Sequence, residues 1–389
     1  MKRWMSLGVL GLFTLVLLPA PARADDASLG RSGETVFPIG EATVRMASEE
    51  VLLRIGPERT DVDLLFTFAN DGPGKQVLMG FPLREQHEGR GQPELNEFLT
   101  LVDGVAVPVK TEKAEAGNYP GWMTWEVPFA AGQTRVVKNS YWGGNSFWSN
   151  GETKAGYILQ TGAAWNGPIG RADVRATLDG VFLPDLQEVV PADYRWDGDD
   201  LVWSWREFEP SDDIAVRWNL RPWHLALLAA MPDTYVEFPP TAAALTAYRS
   251  AHPNTSGKPD AIDIALVRLA WEAGDHTAVR AGVEKALAAG VREPTLAYLA
   301  VMEGLRGAGE FVGWELSPVL TRWMRERAGL PGVPAAPATP VPATPPAPTP
   351  EPPAVAPSSP VALDDPRPWL LLGPVLALLA VGLWYRYRK

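Results

Sequence analysis

The stretch "DVDLLFTFAN", residues 61–70, decides the fold class. Val62, Leu64, Phe66 and Phe68 fall on every second position, with Asp61, Asp63 and Thr67 between them. A period of two is that of a strand with one face in a core and one towards solvent. The same alternation recurs in "RADVRATL" (171–178), through Ala172, Val174, Ala176 and Leu178, and in "DIAVRWN" (213–219), through Ile214, Val216 and Trp218. Turn dipeptides punctuate these runs at Asp71-Gly72, Asp103-Gly104, Asp179-Gly180 and Asp197-Gly198. "LTLVDGVAVPV" (99–109) reads as a hairpin about its Asp-Gly turn.

Residues 34–221 are therefore expected to be mainly β, as one large or two consecutive antiparallel β-sandwiches, with a module boundary near 130 if there are two. No alternation of strands with helices suggests a nucleotide-binding fold. From about residue 240 the period becomes helical. Ile262, Ala265, Leu266, Leu269 and Ala270 share a face, and Asp260 is placed to cap it. "HTAVRAGVEKALAAG" continues with Val279, Val283, Ala286 and Leu287 up to Gly290. Residues 240–330 are expected to form a small α-helical bundle, with a short solenoid of helical hairpins as the alternative.

Both ends are hydrophobic. Lys2 and Arg3, an apolar run over 7–18 and Ala22-Arg23-Ala24 read as a signal peptide over residues 1–24. Residues 369–385 carry no charge and are followed by Arg386, Tyr387, Arg388 and Lys389. At about 1.5 Å per residue this run spans roughly 25 Å, enough for a transmembrane helix at the short end of the range. The basic tail, 386–389, is expected in the cytoplasm and the bulk of the chain outside. Between them, 13 of the 30 residues over 331–360 are proline, which favours an extended stalk rather than a core.

Composition narrows the chemistry. There is no cysteine, which removes disulfides, thiolate metal sites and cysteine catalysis. Six of the 35 basic residues lie in the two ends and all 46 acidic residues lie between them, so the expected outer part carries a net charge of −17. Such a surface repels phosphates, and nucleic acid is not an expected partner. None of His87, His224, His252 and His276 falls in a pattern that would put two imidazoles on one metal. "WDGDDLVW" gathers Asp197, Asp199 and Asp200, and Ser211, Asp212 and Asp213 follow; aspartates in turns suffice to explain them, with calcium as the alternative. No serine elbow or phosphate loop is present, and no cofactor is expected.

The aromatic residues remain. Trp203, Trp205 and Trp218 are most simply core. "YWGGNSFWSNG", residues 141–151, places four rings among glycines and amides. Tyr141 and Trp142 close a strand and are expected to pack, with Trp142 buried. Phe147 and Trp148, flanked by Asn145 and Asn150, form the candidate binding site, either as a contact surface for protein or glycan or as the cap of a sandwich end.

"VRMASEEVLLRI", "DVDLLFTFANDGPGKQVLMGFP", "MTWEVPFAAGQTRVVKNSYW" and "GYILQTGAAWNGPIGRADVRATL" occur in an order that resembles a bacterial family of exported domains of unknown function, the one numbered 4424. The resemblance covers residues 34–219. It implies an exported β-rich protein and supplies no catalytic residues. Together these features read as a membrane-anchored, non-enzymatic envelope module that binds or scaffolds; the alternative is a cell-envelope glycan hydrolase acting through carboxylates that the sequence does not single out.

Overall fold

The computed structural model describes residues 27–32, 35–38, 43–83, 95–114, 121–159, 165–235 and 237–331. The expected signal peptide, the expected stalk beyond Pro331, and the expected transmembrane run and tail, as well as His87, lie outside the described residues. No described helix is long and apolar enough to cross a membrane.

The described residues are mainly β, in three sheets, with six helices after them. The longest strands, β3 (Val44–Ile55) and β4 (Arg59–Asn70), pair antiparallel through the centre of an eight-stranded sheet. Val62, Leu64, Phe66 and Phe68 of β4 are all buried, as their alternation requires. β10 (Thr134–Gly144) lies on the far side of β4, followed by β6 (Asn96–Val102) and β7 (Val105–Ala106). On the near side β3 is joined by β13 (Ile169–Leu178), then β16 (Asp200–Phe208) and β15 (Arg195–Asp197). Strands from both sides of residue 130 thus share one sheet. β1 (Ala27–Ser32), β2 (Thr35–Pro38), β8 (Lys110–Ala114), β9 (Gly121–Phe129) and β5 (Lys75–Pro82) close into a small barrel. A third sheet has the order β11 (Ser146–Phe147), β12 (Glu152–Tyr157), β17 (Ile214–Asn219), β14 (Leu186–Val190).

The expectation of purely antiparallel sheets needs correcting. β13 runs parallel to β3, with Ala172 opposite Glu49 and Leu178 opposite Ile55, and β2 runs parallel to β8. A parallel neighbour requires a long return rather than a hairpin, and more than a hundred residues separate β3 from β13.

β3 changes phase within itself. Val44 and Met46 are buried; the register against β4 then slips between Met46 and Ser48, and the inward positions become Glu49, Val51, Leu53 and Ile55. A bulge inserts one residue and so swaps the faces beyond it. Its consequence is a carboxyl group, that of Glu49, with no solvent exposure in the middle of the sheet.

The chain leaves β17 directly for α1 (Arg221–Ala230), some twenty residues ahead of the helical region expected from residue 240, with a proline in its first turn. α2 (Ala242–Ala251), α3 (Ala261–Glu272), α4 (His276–Ala288), α5 (Pro294–Met302) and α6 (Pro318–Arg327) follow. Asp260 caps α3 as expected, in a reciprocal box with Asp263. α3 packs on two sides. Ile262 and Ala265 join a small core with Leu227, Met231 and Leu245, while Val267 joins the main core. That main core runs without a break from the sheets to Leu296, Leu299, Leu320 and Trp323 of the helices.

α3 and α4 meet so closely that a Cβ on Gly282 would stand 2.3 Å from Cγ2 of Val267. A valine methyl on a helix has little freedom to move aside. Gly282→Val should therefore cost about 1–3 kcal/mol through overpacking, read as a lower urea midpoint at unchanged slope; an unchanged midpoint would show that the helices separate freely.

Candidate functional site

The stretch 141–151 divides into halves with different roles. Tyr141 sits opposite Val62 in the register of β10 with β4, hence on the inner face, and its ring meets those of Phe81 at 5.2 Å and Phe98 at 5.9 Å. Trp142 sits opposite Asp61, so it shares the outer face. The ring expected to be buried is accordingly only half-buried, with the Arg59 guanidinium 5.1 Å from its centre.

Asn145 is buried at 2 % exposure, where the chain passes from β10 to β11. Its Oδ1 accepts from Thr60 Oγ1 at 2.8 Å, its Nδ2 donates to the Gly56 carbonyl at 2.8 Å, and its own N–H donates to the Glu58 carbonyl at 2.8 Å. The amide therefore anchors the hairpin and does not face a ligand. Asn150 is exposed, and its Oδ1 accepts from the N–H of Glu152 at 3.0 Å, the local bond expected of a turn asparagine. Phe147 and Trp148 remain 51 % and 48 % exposed.

These two rings stand on a fixed support. β11 pairs with β12 at Phe147 opposite Thr153, and the turn closes through Trp148 N–H to the Glu152 carbonyl at 2.9 Å and Gly151 N–H to the Trp148 carbonyl at 3.0 Å. Gly151 has φ +82°, and a Cβ there would lie 2.8 Å from Cβ of Arg221. Glycine thus lets the first residue of α1 pack against the turn, where Arg221 Nη1 also donates to the Ser149 carbonyl at 3.4 Å. α1 in turn leaves Leu225 and Leu228, three residues apart and so on one face, 50 % and 38 % exposed. Behind the hairpin, Tyr141, Asn145, Lys154 and their neighbours enclose a cavity of about 40 Å³, room for little more than a water.

The acidic turn is committed elsewhere. Arg175 bonds both Asp197 and Asp200, and Arg327 Nη2 donates to Asp199 Oδ1 at 2.6 Å. The hydrogen bond from Arg175 holds the Asp197 carboxyl below its usual range. Asp213 Oδ1 accepts from the N–H of Leu159 at 3.1 Å. Among the described residues no group of three His, Asp or Glu side chains is placed to hold a metal. His224 stacks on Phe238, His252 on Tyr248, and His276 Nδ1 lies 2.6 Å from Glu303 Oε1.

A second feature was not visible in the sequence. The three-residue helical turn Leu183–Asp185, together with α1, α3 and the start of α5, encloses a cleft of about 290 Å³. Arg268 lines it, with a side chain only 7 % exposed. Its Nη1 donates to Asp185 Oδ1 at 3.1 Å, Nη2 lies 2.7 Å from Asp185 Oδ2, and Nε donates to Glu272 Oε1 at 3.0 Å. The guanidinium is 4.4 Å from the centre of the Phe182 ring and 3.8 Å from that of Trp223. Burial pushes the Asp185 carboxyl up, opposed by Arg268 and helped by Glu272. Burial also pushes up Glu293, the N-cap of α5, opposed by its bonds from Thr295 and helped by the charge of Asp185. Glu49 shows the same effect in the sheet. Burial raises its carboxyl to about 8 against the hydrogen bond it accepts from Tyr157 Oη at 3.0 Å.

No family model matches the chain, and no curated protein matches it. Among solved structures, a protein of Legionella pneumophila provisionally described as nutrient-binding is similar at 18 % identity, over 64 % of this chain and 99 % of its own, with a TM-score of 0.41. An M1 zinc metallopeptidase of Deinococcus radiodurans is similar at 12 % identity, over 46 % of this chain and 43 % of its own, with a TM-score of 0.28. Neither superposition is close enough to transfer a site or an activity.

Proposed function

We propose that the chain is a non-enzymatic binding or scaffolding module of the bacterial envelope, exported, held to the membrane by the apolar run 369–385 on the proline-rich stalk, and engaging a protein or glycan through the Phe147–Trp148 hairpin. The observation that carries this reading is the pair of half-exposed rings on a turn tied down by its own hydrogen bonds and by α1. Rigid exposed aromatics bury much area on contact at little entropic cost. The signal run, the basic tail and the resemblance to exported domains of the family numbered 4424 support the location. A glycan hydrolase would need two carboxylates free to exchange protons. In the cleft, Asp185 is held by the buried Arg268, which leaves no such free pair there and argues against that alternative.

The double variant Phe147→Ala/Trp148→Ala tests the proposal. Removing rings that are already half in water should change stability by no more than about 1 kcal/mol. It should nevertheless abolish cosedimentation with isolated peptidoglycan or photocrosslinking from the exposed position 149 to an envelope protein. A melting-temperature drop as large as that of truncating the buried Trp218, with contacts otherwise intact, would make the rings a sandwich cap and overturn the reading.

A further inference from the structure

The cleft beside Arg268 is separate from the aromatic hairpin, and its chemistry points to a ligand of its own. One part of its wall is aliphatic, from Ala226, Ala261, Ile264 and Ala265; another carries the carboxyl groups of Asp185 and Glu293. The single guanidinium there is already shared between two carboxylates, Asp185 and Glu272. Among the described residues Glu293 therefore faces the cleft as an acid without a cation, near enough to Asp185 for the two charges to oppose each other. The Asp185 side chain is only 11 % exposed; its Oδ2, 2.7 Å from Arg268 Nη2, has no hydrogen bond among the described residues but is closed off from the cleft, so Asp185 acts there through its charge. Each carboxylate offers about four lone-pair positions, and Glu293 uses its own on Thr295 N at 2.7 Å, on Thr295 Oγ1 at 3.4 Å and on the N–H of Leu296. Acceptor capacity is left over, and donors are short.

We infer that this cleft binds an alkylammonium group, its aliphatic stem against the alanine and isoleucine wall and its ammonium donating to Glu293 within the field of Asp185. An ammonium brings three donors and one positive charge, which the carboxylates lack. An anionic ligand would add a third opposing charge, and a neutral apolar one would leave the buried acceptors unfilled. The volume admits a lysine side chain or a short diamine, and the acidic surface draws cations towards it. The two sources, a free amine or a lysine of a polypeptide, present the same group.

Titration calorimetry on the purified full-length chain with 1,5-diaminopentane, n-butylamine and Nα-acetyl-lysine methylamide tests this, with 1-butanol and glutarate as controls. Saturable one-to-one binding of the amines alone is expected. Glu293→Gln should weaken it by about thirtyfold or more, the lower end of what losing one partner of a buried charge pair costs. Ala226→Phe, at an exposed position that lines the cleft, should block it without touching any charge. Binding of the lysine derivative at least as tight as that of the diamine assigns a polypeptide ligand; tighter binding of the diamine assigns a free amine. Absence of saturable binding at millimolar amine, or binding unchanged in both variants, overturns the inference.

Discussion

Replacing Glu49 by glutamine should flatten a fall in stability expected of the native chain between about pH 5 and pH 8. The carboxyl of Glu49 is wholly buried and is raised from 4.5 to about 8 in the fold. Between those two values the unfolded chain has released this proton and the folded chain retains it. Stability gained from keeping the acid neutral is thus complete below the unfolded value and is lost as pH rises through the folded one. One proton of difference amounts to about 1.4 kcal/mol per pH unit, so the full window is worth up to about 5 kcal/mol. Glutamine keeps an acceptor for Tyr157 Oη and never ionises, although its amide must sit where Oε2 now has no hydrogen-bond partner among the described residues. That costs about 1–3 kcal/mol at every pH. The variant should therefore be less stable than the native chain near pH 5 and more stable at pH 8. Urea unfolding at intervals across the range reads both slopes. Parallel curves would mean that Glu49 does not carry the proton.

Why this group escaped the sequence is instructive. Val44 and Met46 predict one inward phase for β3 and Val51, Leu53 and Ile55 predict the other, and only a bulge reconciles them. Alternation reports which face a residue takes, not which strand lies beside it. The parallel partnership of β3 with β13 was for that reason not legible, although the inward residues of both strands were. Helices α3 and α4 were legible because their periodicity is supported by caps and glycine stops. α1 was not, since it follows β17 after one residue and is short. At the hairpin, polar and glycine-rich surroundings allow either a contact surface or a sandwich cap, and it is the structure that leaves Phe147 and Trp148 half-exposed. The same surroundings gave no sign that Asn145 is an anchor, because its partners Gly56, Glu58 and Thr60 lie on a turn more than eighty residues earlier. Arg268 is the clearest case. A charged residue on an amphipathic helix reads as the solvent face. Here that face is covered by Phe182, Asp185 and Trp223, which no local pattern ties to it.

The same buried pair yields the second large effect. Arg268→Met and Asp185→Leu should each destabilise the chain by about 3–5 kcal/mol, because the first leaves Asp185 buried without its cation and the second leaves Arg268 buried with only the part-exposed Glu272. Their combination should recover most of that loss. Two apolar side chains of similar volume replace a desolvated pair, and methionine retains favourable contact with the Phe182 and Trp223 rings. The coupling energy from the double-mutant cycle should then exceed about 2 kcal/mol. The two single variants should also differ in their response to pH. Without Arg268, Asp185 loses the cation that now holds its raised carboxyl down, so it accepts a proton more readily and the damage shrinks as pH falls. Without Asp185, the guanidinium cannot shed its proton at any working pH, and its remaining partner Glu272 is 44 % exposed. The loss in Asp185→Leu should therefore not shrink towards pH 5. Unfolding of the three variants at pH 5 and pH 7.5 separates these outcomes. Additive single losses, equal at both pH values, would mean that shape alone holds α3 to the Leu183–Asp185 turn, and that the charges lining the cleft are not coupled across it.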